Sequence, residues 1–240
     1  LAGIVSSSDV TGMYGYWELM TFASYFLVVH EATRAAHDAG VKYYVMCAGG
    51  ALLMLPGLLL LGQGLSPDVL KFALVFTLLG FAAKAGLVPL HSWLPDAHPA
   101  APSSVSGPLS GVITKMGVFG IVAVLFVQPG ALSMPGLMGF SWLGTGLVAL
   151  GAATLVYGEI MALYQDDIKR MLAYSTLGQI GEITLIVYSD VAVFQIADQI
   201  QLVHIILEHF HGFCLGNFSS VDFLAFLTDL LHLFFDGSDH

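Results

Sequence analysis

The stretch "FAAKAGLVPLHSWLPDAH", residues 81–98, decides the fold of this chain. It places a lysine, Lys84, inside a run that is otherwise apolar enough to lie in lipid, and a proline, Pro89, interrupts the same run. A proline in a membrane helix removes an intrahelical hydrogen bond and leaves a carbonyl group that neighbouring protein or water must satisfy. The stretch therefore predicts a membrane helix that breaks at Pro89, with a buried charge beside the break.

The whole chain has the composition of a membrane protein. Of its 240 residues, 57% are hydrophobic and only 10% are Asp, Glu, Lys or Arg, whereas about 25% of the residues in an ordinary soluble domain are charged. Apolar runs near the ~20 residues needed to cross a bilayer recur along the chain. We expect six transmembrane helices, at Tyr14–Val29, Tyr43–Leu61, Phe72–Leu90, Val105–Phe126, Trp142–Tyr164 and Met171–Tyr188.

The pattern weakens after residue 190. Two shorter apolar runs follow, at residues 203–218 and 221–235, and both are interrupted by His, Asp or Glu residues. We therefore predict a transmembrane core at residues 1–190 and a divergent or truncated tail at residues 191–240, with six to eight spans in total. Because Leu1 is not an initiator and no signal peptide precedes the first apolar run, we expect the chain to be a piece of a longer one.

Several classes of function are excluded by composition. A net charge of -10 argues against nucleic-acid binding, and no Gly-rich phosphate loop is present. The two cysteines form no CxxC motif, so neither a disulfide framework nor an iron–sulfur ligand set is expected. A haem site would need histidines on one helical face, which spacings of five and two do not provide. The histidines concerned are His204, His209 and His211.

The basic residues predict a topology. Five of the seven lie at or near predicted helix ends: Arg34, Lys42, Lys71, Lys169 and Arg170. If successive spans alternate in direction, loops at residues 30–42, 91–104 and 165–170 share one side of the membrane, with four of these five cations. The positive-inside rule places that side in the cytoplasm. We expect a multi-pass protein of the cell inner (plasma) membrane.

Three charged residues lie inside the predicted spans: Glu18, Lys84 and Lys115. A lysine at the bilayer centre costs about 2.5 to 3.5 kcal/mol on insertion scales, so such residues usually face a protein or water interior. Each one read alone could be a snorkelling or salt-bridged residue. Together they indicate a proton relay, because burial penalises a charged lysine while a nearby carboxylate favours it. Moving one charge would then load or unload the other group's proton.

Weaker candidates lie nearby. His91 and His98, with Asp96 between them, fit proton entry or an interfacial structural role, and their spacing matches no common metal site. Glu182 lies deep in the sixth predicted span and either takes part in transport or pairs with a neighbour. Glycines beside the two lysines allow either water or close helix packing, at Gly86, Gly111 and Gly117.

Long motifs identify a family. The stretch "KAGLVPLHSWLPDAHPAAPSSVSGPLSGVITKMGVFG" strongly resembles the antiporter-like membrane subunits of respiratory complex I, of membrane-bound nickel–iron hydrogenases of the hydrogenase-4 and formate hydrogenlyase type, and of Mrp sodium/proton antiporters. "YWELMTFASYFLV" is similar to the family's "WELM" helix, and "YQDDIKRMLAYSTLGQIG" to its "QxDxKRLLAYSSxxxxG" segment. The resemblance covers roughly residues 14–188, with the motifs in the family's order.

The resemblance implies a fold and a site. The fold is an all-α membrane bundle of two inverted five-helix repeats, each with a broken helix, in a subunit of about fourteen spans. The glutamate of "WELM", here Glu18, is implied to pair with the lysine of "KAG", here Lys84. The lysine of the following helix, here Lys115, is implied to relay protons along the membrane midplane. The "HSWLP" end is implied to face the cytoplasm or matrix, in agreement with the positions of the basic residues.

The leading interpretation is a proton-translocating subunit of a redox-driven complex, part of an oxidoreductase but without a redox centre of its own. Iron–sulfur clusters, flavin or a nickel–iron centre are then expected in partner subunits, which include other membrane subunits and a peripheral redox arm. The transported ion is H⁺ or Na⁺, and quinone is not expected to bind this chain directly. Two alternatives stay open: an Mrp-type Na⁺/H⁺ antiporter subunit, or a truncated, non-conducting scaffold. The scaffold gains from the tail, where Phe213 or Cys214 stands near the expected lysine.

Overall fold

The structure, a computed structural model, describes residues 1–7, 9–61, 63, 66–127 and 142–195. All regular elements among these residues are helical. The α-helices are α1 Ala2–Ser6, α2 Val10–Val28, α3 Arg34–Leu61, α4 Pro67–Ala85, α5 Leu94–Ala100, α6 Ser103–Pro108, α7 Thr114–Val127, α8 Trp142–Leu163 and α9 Ile168–Gln195, and a short 3-10 helix, Val29–Glu31, follows α2. Leu1–Tyr188 forms one compact unit. From residue 196 onward, the predicted tail lies outside the described residues.

Each of the six predicted spans overlaps a helix, and the third, Phe72–Leu90, extends beyond the end of its helix at Ala85. Among the described residues, three helices are long and apolar enough to cross a membrane, at Arg34–Leu61, Ser103–Leu125 and Trp142–Leu163. The other three predicted spans lie on α2, α4 and α9. The predicted all-α membrane fold is confirmed.

The helix break lies at a glycine rather than at the proline. Helix α4 ends at Ala85, and Gly86 follows it with a φ of 84°, in the left-handed region. Glycine adopts this conformation without steric penalty, and the amide of Gly86 donates to the carbonyl of Ala82 at 2.9 Å. The predicted break at Pro89 is therefore wrong by several residues. As a result, Lys84 lies in the last turn of α4.

A second irregularity precedes Lys115. Helices α6 and α7 continue into one another through a π-helical segment, Leu109–Ile113, that follows directly on Pro108. Single π turns inside α-helices widen the backbone locally and are frequent at functional sites. Lys115 is the second residue of α7, immediately beyond this segment.

The three segments predicted to share one side lie together at one end of the bundle. The Asp96 carboxylate accepts hydrogen bonds from Lys42 Nζ at 2.7 Å and from Arg170 Nη2 at 3.1 Å. Lys169 Nζ donates to the carbonyl of Ala101 at 2.9 Å. The predicted loop boundaries need correction, because residues 34–42 and 168–170 already belong to α3 and α9. The assignment of this end to the cytoplasm stays a prediction.

Candidate functional site

Lys84 is the centre of the candidate site. Its side chain is 0% exposed. The ammonium group donates to the hydroxyl of Tyr43 at 2.7 Å and to Thr21 Oγ1 at 3.1 Å, so α3 and α2 each provide one acceptor. Small residues bring these helices together: a Cβ added at Gly80 of α4 would collide with Met54 of α3. Close packing at glycine is thus what places a lysine of one helix within reach of two others.

Behind Lys84 lies a hydroxyl cluster, which consists of Thr21, Ser24 and Tyr43. All three are buried. The Tyr43 hydroxyl forms a hydrogen bond with Ser24 Oγ. Ser24 Oγ in turn lies 2.6 Å from the carbonyl oxygen of Met20 on its own helix. Every polar atom of the cluster therefore has a protein partner, as the interior of a membrane protein requires.

The end of α4 also favours a cation at this position. The carboxyl end of a helix carries partial negative charge, which stabilises a basic residue in the last turn. Trp93 is fully buried, and its indole nitrogen donates to the carbonyl of Ala83 at 2.9 Å, so one of the terminal carbonyls is satisfied. Lys84 Nζ lies 4.8 Å from the centre of the Tyr43 ring. The lysine is thus surrounded by oxygen and aromatic groups on a protein-filled side of the helix.

Glu18 lies close to Lys84 but does not touch it. It is half-buried on α2, and its Oε1 accepts a hydrogen bond from the Tyr14 hydroxyl at 3.0 Å. Its charge acts on Lys84, although the ion pair that the family resemblance implies is not formed among the described residues. Thr21, which binds the ammonium group, lies one helical turn from Glu18. The carboxylate is therefore on the neighbouring turn of the same helix.

Lys115 belongs to a different face. Gly117, two residues further on, packs so tightly on α4 that an added Cβ would meet the carbonyl oxygen of Phe81 at 2.6 Å. Residues two apart on a helix point to nearly opposite sides, so Lys115 is directed away from α4. It is half-buried and forms no ion pair with any described residue. The structure thus does not bring Lys115 into the site of Lys84.

The three glycines beside the lysines have different structural roles. Gly117 permits close packing, Gly86 permits the helix end, and Gly111 faces open space, with nothing within 4 Å of an added Cβ. Of the two interpretations of these glycines, close packing holds at Gly117.

His98 and His91 lie in the segment after the break. His98 is buried, and its Nδ1 lies 2.6 Å from Ser106 Oγ. Burial, together with the positive charge of Lys169, lowers the pKa of His98 to about 4, so the imidazole is neutral near pH 7. The ring of His91 packs edge-on against Tyr157, with 4.6 Å between ring centres. Within the described ranges, no cluster of His, Cys, Asp and Glu residues suits a metal ion.

Glu182 lies on α9, beside α8. It is half-buried, and the charge of Glu159 on α8 acts on it. The carboxylate of Glu159 fills the space that a side chain at Gly178 would occupy, one turn before Glu182. Two acidic residues from neighbouring helices therefore face the same region, which is separate from the hydroxyl cluster.

Sequence reasoning missed Tyr43. Tyrosine is enriched at the membrane–water interfaces without any buried partner, and 41 positions separate Tyr43 from Lys84, so nothing in the local sequence links them. One signal was available: Thr21 and Ser24 follow Trp17 by four and seven residues, which places all three on one face of α2. A polar stripe on a membrane helix indicates a polar partner on the helix that covers it.

Comparison with known proteins places these features in a family. A family model described as "NADH:quinone oxidoreductase/Mrp antiporter, TM" matches residues 7–222. Hydrogenase-4 component B of Escherichia coli is 38% identical over 184 residues, which cover 71% of this chain and 27% of that protein. NADH-quinone oxidoreductase subunit N of Heliobacterium modesticaldum is 34% identical over 192 residues, which cover 74% of this chain and 39% of the subunit.

Solved structures agree with the fold. A chain of the membrane-bound sulfane sulfur reductase, an archaeal respiratory membrane complex, superposes with a TM-score of 0.69 at 29% identity, over 78% of this chain and 40% of that one. A chain of the Mrp complex from Dietzia sp. DQ12-45-1b superposes with a TM-score of 0.68 at 24% identity, over 78% of this chain and 36% of that one. The chain thus spans less than half the length of these relatives. It belongs to the family of antiporter-like membrane subunits found in NADH:quinone oxidoreductases and Mrp antiporters.

Proposed function

We propose that this chain is part of a proton-translocating membrane subunit of a redox-driven complex, of the NADH:quinone oxidoreductase or membrane-bound nickel–iron hydrogenase type. The observation that carries the proposal is Lys84, an ammonium group with no exposed surface whose bound partners are both neutral hydroxyls. A group so placed is costly in its charged form. A family relative that is named as a hydrogenase component and another named as an oxidoreductase subunit support the redox assignment.

Glu18 controls the charge of Lys84 in this proposal. A carboxylate within a few ångströms favours the ammonium form, and its removal or neutralisation favours proton release. Because Glu18 and Thr21 lie one turn apart on α2, Lys84 can exchange its hydroxyl acceptor for the carboxylate by a side-chain movement alone. Proton transfer is then coupled to the position of one flexible side chain.

The remaining candidates extend this route. Lys115, on the face of α7 that points away from α4, is proposed to accept the proton after Lys84. Glu182 is proposed to act after Lys115. His91 is a half-buried residue in the segment after the break and is the proposed entry residue. His98 is neutral near pH 7 and bonded to Ser106, which favours the structural role over proton entry.

Chemistry is proposed to take place in partner subunits. Iron–sulfur clusters, flavin or a nickel–iron centre would lie in a peripheral arm, and other membrane subunits would flank this one in the lipid bilayer. The relatives named above include proteins from multi-subunit membrane complexes, which supports the assembly. The end of the bundle that carries Lys42, Lys169 and Arg170 would face the cytoplasm.

Replacement of Lys84 tests the proposal. In the full-length protein, assembled with its partner subunits in inverted membrane vesicles, Lys84→Met keeps an unbranched side chain that is one atom shorter and removes the charge. We expect dye-detected proton uptake to fall at least tenfold while redox turnover is partly retained. Lys71→Met is the matched control, because Lys71 is an exposed lysine of the same helix. Wild-type proton uptake in Lys84→Met would refute the proposed role.

The Mrp-type alternative remains a second candidate, since the family model covers both groups and an Mrp chain shares the fold. The requirement of translocation for Na⁺ distinguishes these two candidates. Translocation that requires Na⁺ and proceeds without an electron donor would favour an antiporter subunit, and donor-dependent proton uptake in sodium-free buffer would favour the redox complex. A wild-type protein that moves neither ion would indicate a scaffold.

A further inference from the structure

We infer that Tyr43 is a positioning residue for Lys84. Together with Thr21, its hydroxyl holds the ammonium group away from Glu18 and so determines how readily Lys84 releases its proton. The inference rests on the proposed function. It starts from two hydrogen bonds, 2.7 Å to Tyr43 and 3.1 Å to Thr21, that leave the ammonium group without a charged partner. The placement of Tyr43 explains why this buried lysine binds neutral oxygens although the carboxylate of Glu18 is nearby.

The hydrogen bonds within the hydroxyl cluster fix the orientation of the groups that bind Lys84. Ser24 Oγ lies within hydrogen-bonding distance of the carbonyl oxygens of both Met20 and Thr21, at 2.6 and 3.1 Å, and it also bonds the Tyr43 hydroxyl. Thr21 Oγ1 donates to the carbonyl of Trp17 at 3.0 Å, which leaves its lone pairs for Lys84. The orientation of each hydroxyl is thus fixed by the backbone of α2. Because these bonds end on carbonyl oxygens, the cluster orients the lysine and does not pass a proton onward.

The acceptor Thr21 and the carboxylate of Glu18 lie on adjacent turns of α2. Glu18 and Thr21 are three positions apart, which corresponds to about 4.5 Å along the axis of α2. Lysine has a flexible four-carbon stem and three donors that can exchange one acceptor at a time. The Glu18 carboxylate is held by Tyr14 at 3.0 Å and has further acceptor capacity for an ammonium group.

Few of the described titratable groups on the neighbouring helices lie near enough to Lys84 to influence its charge. Helix α2 contributes the carboxylate of Glu18, and α3 contributes Tyr43 and the buried thiol of Cys47. Helix α7 meets this part of α4 through Gly117, and the segment before α5 contributes the indole of Trp93 to the carbonyl of Ala83. Among the described residues, Glu18 is thus the acid whose charge competes with the hydroxyls.

The variant Tyr43→Phe tests the inference, because it keeps the ring and removes the hydroxyl. Without this acceptor, Lys84 moves to Glu18, where the carboxylate favours the charged lysine. Hydrogen bonds to charged groups contribute enough to change such an equilibrium about tenfold, so we expect the pH at half-maximal proton translocation to rise by about one unit. The neighbouring Tyr44→Phe is the matched control and should keep the wild-type profile. In the Glu18→Gln background, Tyr43→Phe should produce no upward shift.

The direction of the shift separates positioning from simple loss of a hydrogen bond. If Tyr43 only stabilised the ammonium group, its removal would lower the half-maximal pH, and a lowered or unchanged value would overturn the inference. If Tyr43→Phe does not accumulate in the membrane, the same measurement is made on Thr21→Val and Thr21→Ser. Of these two variants, only Thr21→Ser keeps a hydroxyl oxygen that can accept a hydrogen bond from Lys84. An upward shift in Val but not in Ser supports the inference, and identical profiles reject it. Failure of the proposed function is distinct, because it would appear as normal pumping in Lys84→Met.

Discussion

At the scale of single residues, Lys84 shows what a sequence pattern can predict. A charge within an apolar run indicates a buried, partnered group, and the structure buries Lys84 completely. The identity of its partners follows from the packing of three helices. Tyr43 is distant along the chain, and the carboxylate implied by family resemblance is one turn away from the acceptor found. Burial could therefore be predicted from local composition, whereas the hydrogen bonds could not.

His98 carries a prediction for pH dependence. Its pKa is about 4 in the folded protein, below the ordinary value near 6.5, so the unfolded chain binds more protons between these values. Stability should be fully present above pH 6.5 and be lost as the pH falls toward 4, by up to about 3 kcal/mol. Thermal unfolding of the detergent-solubilised protein should show this loss, and His98→Gln should reduce it. His37→Gln, at an exposed histidine, is the control. An equal acid loss in His98→Gln would contradict the assignment.

At the scale of helices, the existence of the break was predictable but its location was not. Gly86 and Pro89 both disrupt a helix, and they lie three positions apart. Proline forbids a hydrogen bond at its own nitrogen, but a glycine C-cap ends a helix earlier when the chain must turn there. Trp93 and Leu94, which follow the turn at Gly86, are buried in the core. The location of the break thus goes with the packing of the residues that follow it, which neither local signal contains.

Helix contacts at glycine give a second prediction. Gly117→Ala should lower the free energy of unfolding by about 1 to 3 kcal/mol, the usual cost of overpacking, because the methyl group would meet the α4 backbone at Phe81 and Ala85. Gly111→Ala lies on the same continuous helix in open space and should be close to neutral. Thermal unfolding of both variants in detergent provides the comparison. Equal melting temperatures would show that α4 and α7 do not pack this closely.

At the scale of the whole molecule, the alternation of spans was the informative pattern. It predicted that residues 30–42, 91–104 and 165–170 share one side, and contacts around Asp96 join these segments at one end of the bundle. The separation of Lys84 from Lys115 was not predictable in the same way, because spacing along a chain does not fix the face of each helix that meets a neighbour. That face depends on where glycines permit contact, as at Gly117.

The central claim is that Glu18 and Lys84 act as one unit in moving a proton, and a double-mutant cycle tests it most directly. Proton uptake would be measured in vesicles that contain wild type, Glu18→Gln, Lys84→Met or both changes in the full-length protein. Residues that act as a unit are strongly non-additive. The account predicts that the double variant is no slower than the slower single variant. A double variant whose loss equals the product of the two single losses would contradict it.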